Sequence, residues 1–232
     1  MKQALLAGLP TLGQNLCEAQ LTAFCRFGQA LIEKNQVMNL TAITDPQAVA
    51  RLHFLDCIAL LNFADFSGKT VIDVGCGAGF PGVPLKIAEP TLQLTLLDSL
   101  NKRIAWLSEL LPALDIQAQC VAARAEDYSA SHREQYDIAV SRAVARLNLL
   151  SELCLPLVAV GGVFLAMKSV DSDEELSQAA RAIGLLGGNV EQIADYTVPG
   201  TDTRHRTVVI RKVKKTPSQY PRRFSKMKQA PL

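Results

Sequence analysis

Apolar residues at three- and four-residue steps open the chain. Leu16, Ala19, Ala23, Phe27 and Leu31 fit one face of an amphipathic helix, predicted over residues 12–35. A second helix is predicted after Asp45-Pro46. There Asp45 serves as N-cap, Pro46 takes the first helical position, and Val49, Leu52, Leu55 and Ala59 mark the inner face. From residue 70 the pattern changes. Short aliphatic or β-branched runs at 71–74, 94–97, 117–121, 138–140, 163–167, 190–197 and 207–213 predict seven strands. Helical patterns at 83–88, 101–111, 146–157 and 174–186 separate most of them. Such alternation predicts a doubly wound α/β sheet, parallel through at least its first five strands. Only residues 199–204 separate the last two runs. That spacing predicts a hairpin, and with it an antiparallel edge strand.

Length and charge refine this picture. A chain of 232 residues suits one substantial core with appendages. The predicted organisation is a helical extension over 1–66, an α/β core over 67–213 and a basic arm over 214–232. Net charge is only +2, but residues 204–232 hold ten Lys and Arg and no acid. The remaining 14 basic and 22 acidic residues leave a body of net charge −8. This asymmetry points to a polyanionic partner, or to a tail that only aids solubility. With three prolines after Val213, the arm is expected to be loosely ordered. Apolar runs are too short to span a bilayer, and residues 1–10 lack a signal-peptide core, so a cytoplasmic protein without membrane contact is expected. The six cysteines form no C-x-x-C pair and have no His at ligand spacing. They are expected to be mostly buried, reduced thiols, with no metal site.

The most informative stretch is Asp73-Val74-Gly75-Cys76-Gly77-Ala78-Gly79-Phe80-Pro81-Gly82, between a predicted strand and helix. Glycines there allow a sharp turn and a close approach to a ligand beyond the strand ends. A dinucleotide fingerprint would need Gly at position 80, which is Phe. The spacing, with an acid two residues before the first glycine, resembles the first motif of class I methyltransferases. In that pattern the acid helps orient the methionine end of S-adenosylmethionine. At the end of the second strand, Asp98 suits a ribose diol, a helix N-cap, or both. After the third strand, Ala125 and Glu126 fall beside the adenine in the methyltransferase core, or form a plain solvated turn. The expected fold is therefore α/β and Rossmann-like: a seven-stranded, mostly parallel class I methyltransferase sheet with an edge hairpin, preceded by helices.

The fourth strand ends in Val140-Ser141-Arg142-Ala143. It lacks the Pro-Pro-aromatic motif with which amino-group methyltransferases accept protons from adenine or cytosine. It also lacks the nucleophilic Cys of cytosine-C5 enzymes. Guanine N7 needs neither device, because its lone pair is available and carries no proton. Catalysis would then rest on positioning and electrostatics.

Several further stretches belong to one pattern: Met38-Asn39-Leu40-Thr41, Arg51-Leu52-His53-Phe54-Leu55-Asp56-Cys57, residues 73–84, and Leu96-Leu97-Asp98-Ser99-Leu100-Asn101-Lys102-Arg103. Ser141-Arg142-Ala143, Arg204-His205-Arg206, Thr216-Pro217 and Tyr220-Pro221-Arg222 complete it. Together they resemble the bacterial small-subunit ribosomal RNA guanine-N7 methyltransferase G family, from about residue 12 onward. Ser169 departs from the pattern, where Gly is expected after Lys168. The resemblance implies cofactor contacts from Asp73, Gly75, Gly77, Phe80, Asp98, Ala125, Glu126 and Arg142. It implies a catalytic role for Arg142 and RNA contacts from Arg124, Lys168, Arg204 and Arg206. The implied cofactor is S-adenosylmethionine. The implied partner is 16S ribosomal RNA, the small subunit or an assembly intermediate, met by a monomer. A structural salt bridge remains the alternative for Arg142, and a packed, hydrogen-bonded side chain is expected for His53. Two other functions stay open: a small-molecule methyltransferase, and a ribosome-assembly factor that binds the cofactor without turnover.

Overall fold

A computed structural model describes residues 1–142 and 144–232. Two helices open the chain, α1 (Lys2–Gly8) and α2 (Glu18–Met38). Helix α2 ends at Asn39, whose φ of 48° leaves the helical region. The Asp45-Pro46 start forms as predicted, with Asp45 Oδ1 accepting from Ala48 N at 2.8 Å. From there α3 (Pro46–Val49), a π-helical stretch (Ala50–Leu55) and α4 (Asp56–Ile58) run on without leaving helical backbone. The wider π turn carries His53 and ends at Asp56, two residues that reach the candidate site.

Seven strands follow: β1 (Thr70–Val74), β2 (Gln93–Asp98), β3 (Ala118–Ala122), β4 (Tyr136–Arg142), β5 (Val158–Ser169), β6 (Gly188–Thr197) and β7 (Arg204–Lys212). All seven predicted runs are strands. The helices between them are α5 (Gly82–Ala88), α6 (Asn101–Ala113), α7 (Ala125–Tyr128), α8 (Leu147–Cys154) and α9 (Asp173–Leu185). The sheet order is β3-β2-β1-β4-β5-β7-β6. Strands β1 to β5 are parallel, and β7 pairs antiparallel with both β5 and β6.

The hairpin thus lies at the sheet edge, but its antiparallel member is the inner strand β7. Burial explains the order. Residues 206–210 of β7 are all buried, whereas β6 after Gly188 is half-buried or exposed throughout and tolerates the rim. The order also reverses at β1, so the carboxyl ends of β1, β2 and β4 border the crevice where such sheets bind ligands.

Side-chain alternation along the strands feeds two cores. Val71, Leu96 and Val140 join Phe24, Phe27, Phe54 and Leu107 on the face covered by α2, α5 and α6. Ile72, Leu97 and Ala139 join Leu147, Leu150, Ile183 and Met227 on the opposite face.

Three helices were not predicted: α1, α7 and α10 (Phe224–Gln229). The last corrects the expectation of a loosely ordered arm. Met227 is fully buried, Thr216 nearly so, and Arg222 grips the buried carboxylate of Glu152 through Nε at 2.8 Å and NH2 at 2.6 Å. Cysteine burial is also more mixed than expected: Cys57, Cys76 and Cys154 are buried, Cys25 and Cys120 half-buried, and Cys17 exposed. Among the described residues, no helix is long and apolar enough to cross a membrane.

Candidate active site

A cavity of about 450 Å³ lies over the carboxyl ends of β1, β2, β3 and β4. The loop after β1 shapes its floor. Gly75 N donates to Leu97 O at 2.7 Å and Cys76 N donates to the same carbonyl at 3.1 Å, tying the loop to β2. Gly75 sits at φ 75°, and a Cβ there would lie 2.4 Å from Val144 Cγ2. Both conformation and space therefore demand glycine.

Asp98, at the end of β2, is buried on the cavity wall. Its Oδ2 accepts from Gly77 N at 2.9 Å and its Oδ1 from Leu100 N at 2.8 Å. Arg103 NH1 stands 3.6 Å from Oδ2. A carboxylate has about four acceptor positions, so capacity remains for a diol. Asp98 thus fastens both loops while facing the cavity.

Asp73 differs from its expected role. It is absent from the cavity wall and fully buried beneath the loop, where Oδ2 accepts from Gly82 N at 2.7 Å. Its Oδ1 has no partner among the described residues, and burial raises the carboxyl pKa to about 7. Asp73 acts on the loop and on the start of α5 rather than lining the cavity.

Arg142 ends β4 with its guanidinium 4.7 Å from the centre of the Phe80 ring. Phe80 also packs on His53 at 4.7 Å and Phe27 at 5.6 Å, which fixes the aromatic platform. His53 is packed and hydrogen-bonded as expected, with Nε2 2.8 Å from Thr41 Oγ1. Burial, reinforced by Arg142, lowers its pKa to about 4, so its imidazole is neutral at pH 7.

Beneath Arg142 lies Asp56, which is fully buried. Tyr196 O–H donates to Asp56 Oδ1 at 2.8 Å, His205 Nδ1 lies 2.7 Å from the same oxygen, and Arg142 NH1 is 3.5 Å from Oδ2. The hydrogen bond to Asp56 raises the His205 pKa, and burial raises that of Tyr196.

A second cavity of about 630 Å³ shares His53 and Arg142 with the first. Its wall continues through Ile43, Asp56, Met167, Lys168, Glu175 and His205.

The structure gathers Gly75, Gly77, Phe80, Asp98, Arg124, Ala125, Glu126 and Arg142 around the first cavity, and Lys168 borders the second. Lys168 Nζ donates to Ala145 O and Glu175 Oε1, both at 2.6 Å. Arg204 is exposed, with Asp195 at 3.8 Å. Arg206 does not face solvent: it is buried and paired with Asp195 and Asp173. The expectation of an RNA contact from Arg206 is corrected accordingly, because its donors already serve two carboxylates. Residue 143 lies outside the described residues.

Sequence reasoning assigned no site role to Asp56, Tyr196 or Phe224. Asp56 and His205 stood inside the family pattern, which was the available signal. Tyr196 and Phe224 carried none, since only the fold brings Tyr196 to Asp56 and Phe224 to the first cavity.

The sheet order, the glycine loop after β1 and the carboxylate ending β2 together define a Rossmann-like methyltransferase. Solved structures share the fold. A putative transferase from Pyrococcus horikoshii matches with a TM-score of 0.56 at 12% identity, over 69% of this chain and 63% of that one. A precorrin-6y C5,15-methyltransferase from Geobacter metallireducens matches with a TM-score of 0.52 at 12% identity, over 76% and 91%. A family model described as rRNA small subunit methyltransferase G matches residues 20–206. The ribosomal RNA small subunit methyltransferase G of Alkaliphilus oremlandii is 46% identical, over 100% of this chain and 99% of its own. That of Staphylococcus carnosus is 45% identical, over 94% and 92%. The chain belongs to the rRNA small subunit methyltransferase G family.

Proposed function

We propose that the chain transfers a methyl group from S-adenosylmethionine to N7 of one guanine in 16S ribosomal RNA, acting as a cytoplasmic monomer. The observation that carries this reading is the pair of cavities joined at Arg142 and His53. One is suited to the cofactor and the other to an extruded purine.

The residues present fit the cofactor. Asp98 offers a buried carboxylate to a ribose diol, and the loop at Gly75 and Gly77 lets backbone approach closely. Ala125 and Glu126 border the nucleoside end, and Arg142 with Phe80 borders the transfer end. S-adenosylmethionine, when bound, supplies an electrophilic methyl group on a sulfonium. Asp73 serves the site from behind, holding the start of α5.

The chain's own chemistry matches an acceptor without a proton to lose. His53 is neutral and bound to Thr41. Asp56 is engaged by Tyr196, His205 and Arg142. Burial raises the thiol pKa values of Cys57, Cys76 and Cys154, which disfavours a thiolate nucleophile. Arg142, held over the Phe80 ring, can hold guanine O6 or a phosphate while N7 faces the methyl group. Arg124, Arg204, Lys168 and the exposed cations of the C-terminal segment would meet RNA phosphates.

The test is direct. Small ribosomal subunits or their RNA are incubated with the chain and labelled S-adenosylmethionine. Alkaline borohydride and aniline then cleave at 7-methylguanosine, and mass mapping locates the mark. A methyl group on cytosine C5 or on an adenine amine overturns the proposal. Binding without transfer would favour an assembly factor.

A further inference from the structure

We propose that the C-terminal segment is part of the cofactor site, with Phe224 forming the wall at its purine end. The proposal rests on reading the first cavity as the S-adenosylmethionine site.

Strand order sets the direction of the cavity. Arg142, at the end of β4, is shared with the second cavity, so methyl transfer belongs at that end. In the order β3-β2-β1-β4 the opposite limit is the end of β3, where Ala123, Arg124, Ala125 and Glu126 stand. A nucleoside whose ribose meets Asp98 on β2 must therefore place its base toward β3. Phe224 lines this same cavity, and the Arg124 guanidinium lies 5.3 Å from its ring centre. The ring is half-buried, so it keeps a face for a ligand.

The segment is anchored at several points. Thr216 Oγ1 donates to Leu186 O at 2.7 Å, and Thr216 N to Glu134 Oε1 at 2.8 Å. Arg133 NH2 donates to Thr216 O at 2.9 Å, and its NH1 to Tyr220 O at 2.5 Å. Arg222, two residues before Phe224, forks onto Glu152, which is 1% exposed. Met227, one turn further on, is sunk in the core. These contacts hold the aromatic ring over the cavity from both sides in sequence. A tail that served only to attract RNA would not need a buried Glu152 or Met227.

Titration calorimetry with S-adenosylhomocysteine tests the proposal on the full-length chain. Phe224→Ala is expected to raise Kd about tenfold, the loss typical of a base–aromatic contact. Phe224→Tyr, which keeps the aromatic face, should stay within about twofold of the parent. Gly75→Val serves as the control for the site itself. If Gly75→Val still binds normally, the reading of the cavity fails. If Gly75→Val loses binding while Phe224→Ala binds like the parent, only the role of Phe224 fails. A second measurement needs no variant: S-adenosylhomocysteine should slow tryptic cleavage after Arg223 and Lys226, because a ligand that touches Phe224 stabilises the seated segment. Equal cleavage rates with and without it overturn the proposal.

Discussion

Asp56 and Arg142 meet between the two cavities, with Arg142 NH1 3.5 Å from Asp56 Oδ2. The carboxylate is fully buried and also serves Tyr196 and His205. It compensates the guanidinium and helps hold it over Phe80. The two side chains come from distant parts of the chain, so the contact exists only in the fold.

Arg142→Ala should reduce the single-turnover rate at least 100-fold while leaving S-adenosylhomocysteine binding within tenfold. Arg142→Lys should not restore the rate, because an ammonium lacks the planar fork that lies over Phe80. Rapid-quench assays with saturating RNA measure both. Full rescue by Lys would reduce Arg142 to a simple positive charge.

Asp56→Asn should destabilise the fold by roughly 3 kcal/mol, since it leaves Arg142 and His205 facing a neutral group in a buried site. Urea unfolding at pH 7 reads this directly. A change below about 0.5 kcal/mol, the ordinary range for surface substitutions, would mean that the network is not stabilising.

His53 predicts a dependence of stability on pH. Its pKa falls from 6.5 to about 4 on folding. A group depressed in this way adds stability above the unfolded pKa and loses it as pH falls through the folded value. Between pH 7 and 4 the parent should therefore lose up to roughly 3 kcal/mol that a His53→Gln variant does not lose. Urea midpoints at each pH for both proteins provide the comparison, and parallel profiles would contradict it.

Cations near the C-terminus should divide into two kinds. Arg206→Ala removes a buried partner of Asp195 and Asp173 and should lower stability. Its effect on the salt dependence of RNA binding should be small. Replacing the exposed Arg223, Lys226 and Lys228 with Ala should instead reduce the log–log salt slope by about 2, if each meets one single-stranded phosphate. Fluorescence anisotropy across a salt series separates the two outcomes. An unchanged slope would assign these three residues to solubility.

The rate should also be nearly flat with pH. Guanine N7 loses no proton on methylation, so with RNA and cofactor saturating no acid limb is expected from about pH 6.5 to 8.5. An essential base would give about tenfold per pH unit on its acid limb. That slope, if seen, would implicate a titrating group such as His205 or Asp73.

The sequence alone determined the strands, the glycine loop and most of the predicted residues that line the first cavity, because these depend on local order. Alternating apolar runs must be strands, and a strand followed by closely spaced glycines must turn sharply. The Asp45-Pro46 helix start and the position of Asp98 were legible for the same reason. Tertiary structure decided which side chains meet across the chain. It placed Asp73 behind the loop instead of on the cavity, since the Gly82 amide claims its Oδ2. It buried Arg206 between carboxylates that sequence cannot pair with it. It also ordered a tail whose composition reads as loose: Arg222 pairs with Glu152, 70 residues away, and Met227 sinks into the opposite core. Long-range burial and charge pairing leave no local period in the sequence, so only the folded chain reveals them.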